Sequence, residues 1–294
     1  MNSQPIFRSV LYVPGNRPRM LAKAPTLPAD AFVLDLEDSV PLQEKPEARR
    51  LVREALLSGA FAGRAVLVRV NSLSSGLTAE DLKAVVVGGL FGVDVPKVES
   101  PDDVRQVEEL LAWAEGRAGL DPGTLRVGIG IESPAGLLRA EAIGRSSRRV
   151  ASLGLGAEDF TFNLGTQRSP TGEELFVPRA LVALVARALG VQALDTIYPD
   201  FRDPDGLMRE AKLARQLGFT GKYAIHPDQL EPINRVFTPD EAEVRWAREV
   251  VEAYQAAQQA GLGSIAVGGR MVDRPIYERA RRTLELAARW GIGA

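Results

Sequence analysis

Eight short β-rich runs alternate with segments of helical period over roughly the first 230 residues, which predicts a (β/α)8 TIM barrel with a C-terminal helical extension. Two further observations support this reading. One strand–turn–helix unit occurs twice, as Lys97-Val98-Glu99-Ser100-Pro101 and Gly130-Ile131-Glu132-Ser133-Pro134. The first loop, 14–20, carries a single Gly, whereas an open doubly wound sheet would need a Gly-rich phosphate loop there.

In chain order, the expected strands are 8–13, 31–36, 65–70, 93–98, 126–132, 150–155, 194–198 and 221–225. Each has strand length and is dominated by Val, Ile, Leu and Tyr, whose shapes suit a pleated surface. After the fourth run, Ser100 stands as N-cap and Pro101 as the first helical residue. Asp102 and Asp103 fill the first turn, and Val104, Val107, Leu110 and Leu111 form an apolar face. Ser133 and Pro134 repeat the device. The apolar stretch 175–194 carries Pro178, Arg179 and Arg187 and reads as a buried helix, not a membrane span. Beyond the barrel, residues 239–260 have helical period. A Gly-containing arm, 264–275, then leads into a last helix ending near Trp290. No linker or low-complexity segment intervenes. We therefore expect a barrel over 1–238 and an extension over 239–294 that contacts a neighbouring subunit.

The 294 residues hold 36 Lys+Arg against 38 Asp+Glu, and a net charge of −2 argues against a nucleic-acid or membrane-surface binder. With no Cys, thiolate chemistry and Cys-ligated metal centres are excluded, and a single His excludes a two-His metal site within one chain. The N-terminal stretch has no apolar signal-peptide core, so a cytoplasmic location is expected.

Alternation along each strand decides where side chains point. In the second run Val33, Asp35 and Glu37 share a face; in the third, Leu67, Arg69 and Asn71; in the fifth, Gly128, Gly130 and Glu132; in the eighth, Lys222, Ala224 and His226. Each of these faces ends in a polar group, and Lys97 ends one face of the fourth run. Catalytic groups of such barrels sit at the C-terminal ends of strands, so these ends are expected to converge on one rim. Gly128 and Gly130 leave room in front of Glu132. Asp159 follows the sixth run, close enough for its carboxylate and that of Glu132 to reach one point. Two oxygen ligands, with water and substrate completing the shell, suit Mg²⁺. Backbone N–H groups around Ala157 can meet a carboxylate if a helix starts there. His226, followed by Pro227, reads as a hydrogen-bonded structural residue, and Trp113, Trp246 and Trp290 read as packing.

In order and spacing, the segments 8–20, 33–41, 68–71, 95–100, 130–137, 153–160, 224–229 and 271–275 resemble the HpcH/HpaI aldolase–citrate lyase family, most closely its citrate lyase β-subunit-like branch. The resemblance implies a Mg²⁺-dependent barrel that makes or breaks a C–C bond between a 2-oxo acid and an acyl-thioester enolate, carried on CoA or on an acyl carrier. It implies Glu132 and Asp159 as metal ligands and Arg69 as a substrate-binding cation. It also implies a supporting acidic pair, Glu37 and Asp38, and a substrate entrance lined by Val13, Pro14 and Gly15. Asp273 would be an acid/base presented to a neighbouring subunit, in a homotrimer or a dimer of trimers.

Cleaving a 3-hydroxyacyl thioester such as citryl-, malyl- or citramalyl-CoA needs these groups. A Lewis acid favours loss of the hydroxyl proton, a cation steadies the enolate, and an acid returns a proton to carbon. The acceptor of the hydroxyl proton stays open at this point, with Glu37 or Asp38 acting through water as the candidates. Two alternatives stand beside this reading. One is a β subunit active only in a complex with an acyl-carrier protein. The other is a Schiff-base aldolase using Lys97, against which Lys97 also reads as an ion-pair partner of Glu132, Glu99 or Glu37.

Overall fold

The computed structural model describes residues 5–292 and divides into two compact units after Asn234. The first is a closed barrel of eight parallel strands: β1 Ser9–Pro14, β2 Ala31–Asp35, β3 Ala65–Arg69, β4 Gly92–Val95, β5 Arg126–Ile131, β6 Val150–Leu155, β7 Gln192–Asp195 and β8 Gly221–Ala224. Each strand pairs with the next, and β8 pairs with β1 to close the ring. The helices between them are α1 Pro18–Lys23, α2 Lys45–Leu57, α3 Thr78–Val85, α4 Pro101–Arg117, α5 Pro134–Leu138, α6 Ala140–Arg145, α7 Ala157–Leu164, α8 Phe176–Leu189 and α9 Pro204–Leu217, and α10 Leu230–Phe237 follows β8. The predicted (β/α)8 architecture is the one observed.

Local chemistry explains the helix starts. Ser100 caps α4 through Asp103 N–H, while the Asp103 carboxylate accepts from Ser100 N–H, a reciprocal pair that satisfies two otherwise orphaned donors. Ser133 caps α5 in the same way through Gly136 N–H, but that helix lasts five residues because Arg139 leaves helical geometry before α6. The floor of the lumen is filled by Val10, Val33, Leu67, Leu194 and Tyr223, so the barrel is a packed core and not a pore.

Three expectations need correction. The seventh strand lies at 192–195, earlier than the run 194–198, and Thr196 and Ile197 leave the ladder to join the rim. In β8 the faces are reversed: Tyr223 enters the lumen, while Lys222 is sealed between the strands and the helices. The stretch 175–194 is not buried all round. One stripe of α8 packs inward through Pro178, Val182 and Ala186, but Val177, Leu181 and Leu184 are 62%, 39% and 63% exposed.

The second unit contains α11 Glu241–Gln259, a hairpin of β9 Ile265–Val267 and β10 Arg270–Val272, and α12 Arg274–Arg289. Gly268 and Gly269 turn the hairpin with φ of 55° and 75°, values that side chains with a Cβ resist. Ala247, Val250, Tyr254, Val272 and Ala280 form its core. No helix among the described residues is long and apolar enough to cross a membrane.

Candidate active site

A cavity of about 320 Å³ opens at the C-terminal ends of the strands. That volume is ordinary for a small-molecule site. Of the residues expected at the site, Arg69, Asp38, Glu132, Asp159, Ala157 and Pro14 line it.

Arg69 is the fixed point. Its Nε and Nη2 donate to the two Asp35 oxygens at 2.7 Å each, and Nη1 stands 3.3 Å from Glu37 Oε2. The pairing follows from the strand register, which sets Asp35 beside Arg69 on β2 and β3. Asp35 also accepts from Glu37 N–H and Ser39 N–H, so both its oxygens are used. Burial works against the Asp35 charge, but the Arg69 fork and these N–H donors outweigh it and hold its carboxyl below the usual range. The guanidinium also sits over the Tyr12 ring at 4.8 Å. Asp35, Tyr12, Asp94 and Tyr223 were not singled out from the sequence, although all four line the cavity. Tyr12 Oη donates to Asp94 Oδ2 at 3.0 Å.

Glu132 projects into the lumen just beyond β5, 6% exposed, as the alternation predicted. Its room comes from Gly130 and Gly156: a Cβ on Gly130 would lie 2.6 Å from Oε1, and one on Gly156 2.6 Å from Cγ. Gly128 serves a different neighbour, since a Cβ there would meet Asp94 Oδ1 at 2.6 Å. The Glu132 Oε2 atom is buried without a hydrogen-bond partner. Burial, reinforced by the Glu37 and Asp159 carboxylates and only partly offset by Arg69, pushes its pKa up to about 8.

Asp159 enters from the first turn of α7, whose start is tied to β7 by Ala157 N–H donating to Thr196 Oγ1 at 3.3 Å. No group of three or more His, Cys, Asp or Glu among the described residues is arranged to hold a metal ion. Two carboxylates lining one cavity, one of them disfavoured in its charge by the other and with a sealed and unsatisfied oxygen, fit a divalent cation that takes its other ligands from water and substrate.

The remaining expected residues have other surroundings. Glu37 is buried behind the rim, where Lys97 Nζ donates to Oε1 at 2.5 Å and to Asp38 Oδ1 at 3.2 Å. Gly15 is a packing position: its N–H donates to Asp35 O, and a Cβ would lie 2.6 Å from that oxygen. His226 accepts Asp228 N–H on Nδ1 and stacks on Phe201 at 4.8 Å, away from the cavity lining. Asp273 lies in the second unit, where Oδ1 accepts Ile276 N–H and caps α12. Trp113 is half-exposed under Arg117 and so is not core packing.

The chain is similar to known proteins over nearly its whole length. Residues 8–227 match the family model described as HpcH/HpaI aldolase/citrate lyase. Citrate lyase subunit beta of Escherichia coli K12 is 42% identical over 285 residues, covering 97% of this chain and 94% of the relative. The human mitochondrial citramalyl-CoA lyase is 35% identical over 291 residues, covering 95% of this chain and 85% of the relative. The solved structure of protein CitE from Mycobacterium tuberculosis, in complex with magnesium, acetoacetate and coenzyme A, superposes with a TM-score of 0.79 at 30% identity, covering 98% of this chain and all of that one. With residues 8–227 matched by that model and these relatives matched over nearly the whole chain, the chain belongs to the HpcH/HpaI aldolase/citrate lyase family.

Proposed function

We propose that this chain is a Mg²⁺-dependent carbon–carbon lyase that cleaves or forms a 3-hydroxyacyl thioester, with a 2-oxo acid and an acyl thioester as the other partners. The observation that carries the reading is Glu132 Oε2, sealed without a partner in a cavity shared with Asp159 and Arg69. Relatives named for citrate lyase and citramalyl-CoA lyase, and a structural neighbour holding magnesium, support it.

Glu132 and Asp159 would hold the cation. When bound, Mg²⁺ supplies Lewis acidity at the oxygen that becomes the carbonyl of the oxo acid. The chain's own residues do the rest. Cleavage removes the hydroxyl proton, breaks the C–C bond and leaves a thioester enolate. The two acids share Lys97, but Asp38 reaches the cavity while Glu37 does not line it and is engaged by Arg69 as well, so Asp38, acting through water, is the better placed of the two to take that proton. Arg69, oriented by Asp35 and not free to rotate, offers Nη1 to the enolate oxygen. Asp273, from a neighbouring subunit, returns a proton to the enolate carbon. Pro14 lines the cavity and would flank the entering thioester arm. The working form is a homotrimer or a dimer of trimers in the cytoplasm, and the exposed Val177–Leu181–Leu184 stripe supports self-association.

The 42% identity to a citrate lyase subunit favours one further arm, in which the thioester is carried by an acyl-carrier protein and not by CoA. The test is a Mg²⁺-dependent cleavage screen of citryl-, malyl-, citramalyl- and methylmalyl-CoA, plus a citryl carrier thioester, with thiol release and keto-acid detection. Cleavage of at least one, abolished by EDTA, is expected. EDTA-resistant cleavage, or no turnover of any of them, would overturn the reading.

A further inference from the structure

We propose that Arg168 is a positioning residue for the cation site, setting the stance of Asp159 from outside the cavity by tying Glu158 to the exit of β7. The inference rests on the reading of Glu132 and Asp159 as the cation's ligands.

Arg168 lies in the loop after α7 and its side chain is only 10% exposed. Nη1 donates to Glu158 Oε1 at 2.9 Å, and Nη2 donates to Ile197 O at 2.8 Å and to Glu210 Oε2 at 3.0 Å. One guanidinium thus links three elements: α7, the segment leaving β7, and α9. Glu158, Asp159 and Ile197 all line the cavity. The far end of the link is rigid. Glu210 Oε1 accepts from Lys222 Nζ at 2.6 Å, and the same ammonium donates to Asp195 at 2.7 Å and to Thr196 O at 2.7 Å. The near end is held too, because the loop is closed on itself by Ser169 N–H and Oγ donating to Glu174 at 2.9 and 2.6 Å.

The reason for such a brace is the weakness of what it holds. Asp159 stands on a helix of eight residues, too short to be stable alone, so its position depends on tertiary ties. Glu158 is its immediate neighbour. Unpaired, that carboxylate would add one more acid to a rim that already carries Asp38, Glu132 and Asp159. Arg168 draws it outward and fixes the helix in the same contact. Its three acceptors stand on three separate elements and are met by two nitrogens of one guanidinium, a spread that a single ammonium nitrogen does not reproduce.

The experiment titrates the full-length protein with Mn²⁺, read by electron paramagnetic resonance, alongside the Mg²⁺ dependence of activity. Wild type should bind Mn²⁺, and Asp159→Asn should lose that binding; equal binding by the two would sink the cation-site reading itself, whatever Arg168 does. Arg168→Ala should weaken Mn²⁺ about 10- to 100-fold and raise the Mg²⁺ concentration for half-maximal activity in parallel, while kcat at saturating Mg²⁺ changes far less. Arg168→Lys should recover part of the affinity. Glu158→Gln, which leaves the ties to Ile197 and Glu210 intact, should weaken Mn²⁺ less than Arg168→Ala does, and it serves with Arg168→Lys if the alanine variant does not fold. A lower melting temperature with Mn²⁺ affinity unchanged in all the foldable variants would overturn the proposal.

Discussion

Two sets of buried charges lie on opposite sides of the barrel wall. Outside it, Arg179 makes a fork to Asp195 at 2.9 and 3.0 Å, and Lys222 bridges Asp195, Glu210 and Thr196 O. Every charge there meets an opposite charge or a carbonyl. Inside, at the mouth, Asp35 and Arg69 are matched equally well, but Glu132 keeps an oxygen with no partner and a carboxyl pushed up to about 8. The first set is complete in the polypeptide, and its deletion should be felt in stability. The second is complete only with something the chain does not supply, and its deletion should be felt in chemistry.

The largest test of that contrast is a crossed pair of outcomes. Glu132→Gln and Asp159→Asn should each lower Mg²⁺-dependent cleavage by at least ~10³-fold, the scale of losing a main electrostatic contributor. Yet neither should lower the melting temperature of metal-free protein, since Glu132 keeps its proton there and its Oε2 gives up no hydrogen bond, and Asp159→Asn breaks no ion pair among the described residues. A stability loss matching the activity loss would erase the distinction between the two sets.

The pH dependence of the metal-free protein sharpens it. Glu132 titrates near 8 in the fold against 4.5 in the ordinary carboxyl. Between those values the folded state keeps a proton that the unfolded chain has released, so stability falls as pH rises from about 4.5 to about 8, by as much as about 5 kcal/mol. Denaturant melts in EDTA should show the decline, Glu132→Gln should flatten it, and Mg²⁺ should reverse it. A flat profile in wild-type protein would mean that the site tolerates its charges unaided.

On the outer side, Asp195→Ala strands Arg179 without its anion and leaves Lys222 with Glu210 as its remaining anion, and should cost about 3–5 kcal/mol, read as a lower denaturation midpoint. Protein that remains folded should keep its Mg²⁺ affinity to within the effect passed along through Thr196 and Glu210.

The two sets were unequally legible in the sequence. Glu132 and Asp159 could be found because β5 alternates cleanly, with two glycines on the same face as the acid, and because a Gly-rich exit announces the sixth loop. Asp35 could not, because an acid at the end of a strand says nothing about its partner until the register sets it beside Arg69. In β8 the alternation was seen but its phase was inverted: Lys222 looks like a rim group, yet Asp195 and Glu210 bury it toward the helices, and the amphipathic Tyr223 takes the lumen. Gly128 shares the face of Glu132, but the space it leaves is filled by Asp94. Arg168 left no signal, since it lies on a loop without period and acts through side chains distant in sequence. Periodicity locates faces; it does not say which ions meet across them.

The smallest expected effect tests whether Lys97 belongs to the chemistry. Its ammonium is held between Glu37 and Asp38, and although burial works against the charge, those carboxylates raise its pKa above that of a free lysine. A Schiff-base lysine must be neutral to attack a carbonyl, so this setting is the wrong one for that reaction. As a structural pair it is also modest, because the side chain is 33% exposed and solvent screens the attraction. It stands at φ 56°, the left-handed region, so the backbone there already carries a strain that the pair has to offset. Lys97→Met should therefore cost under about 1 kcal/mol of stability and less than tenfold in activity. Borohydride with pyruvate or oxaloacetate should trap no adduct in the wild type. Trapping at Lys97, or complete inactivation of a folded Lys97→Met variant, would move this residue into the catalytic set and displace the cation from the centre of the mechanism.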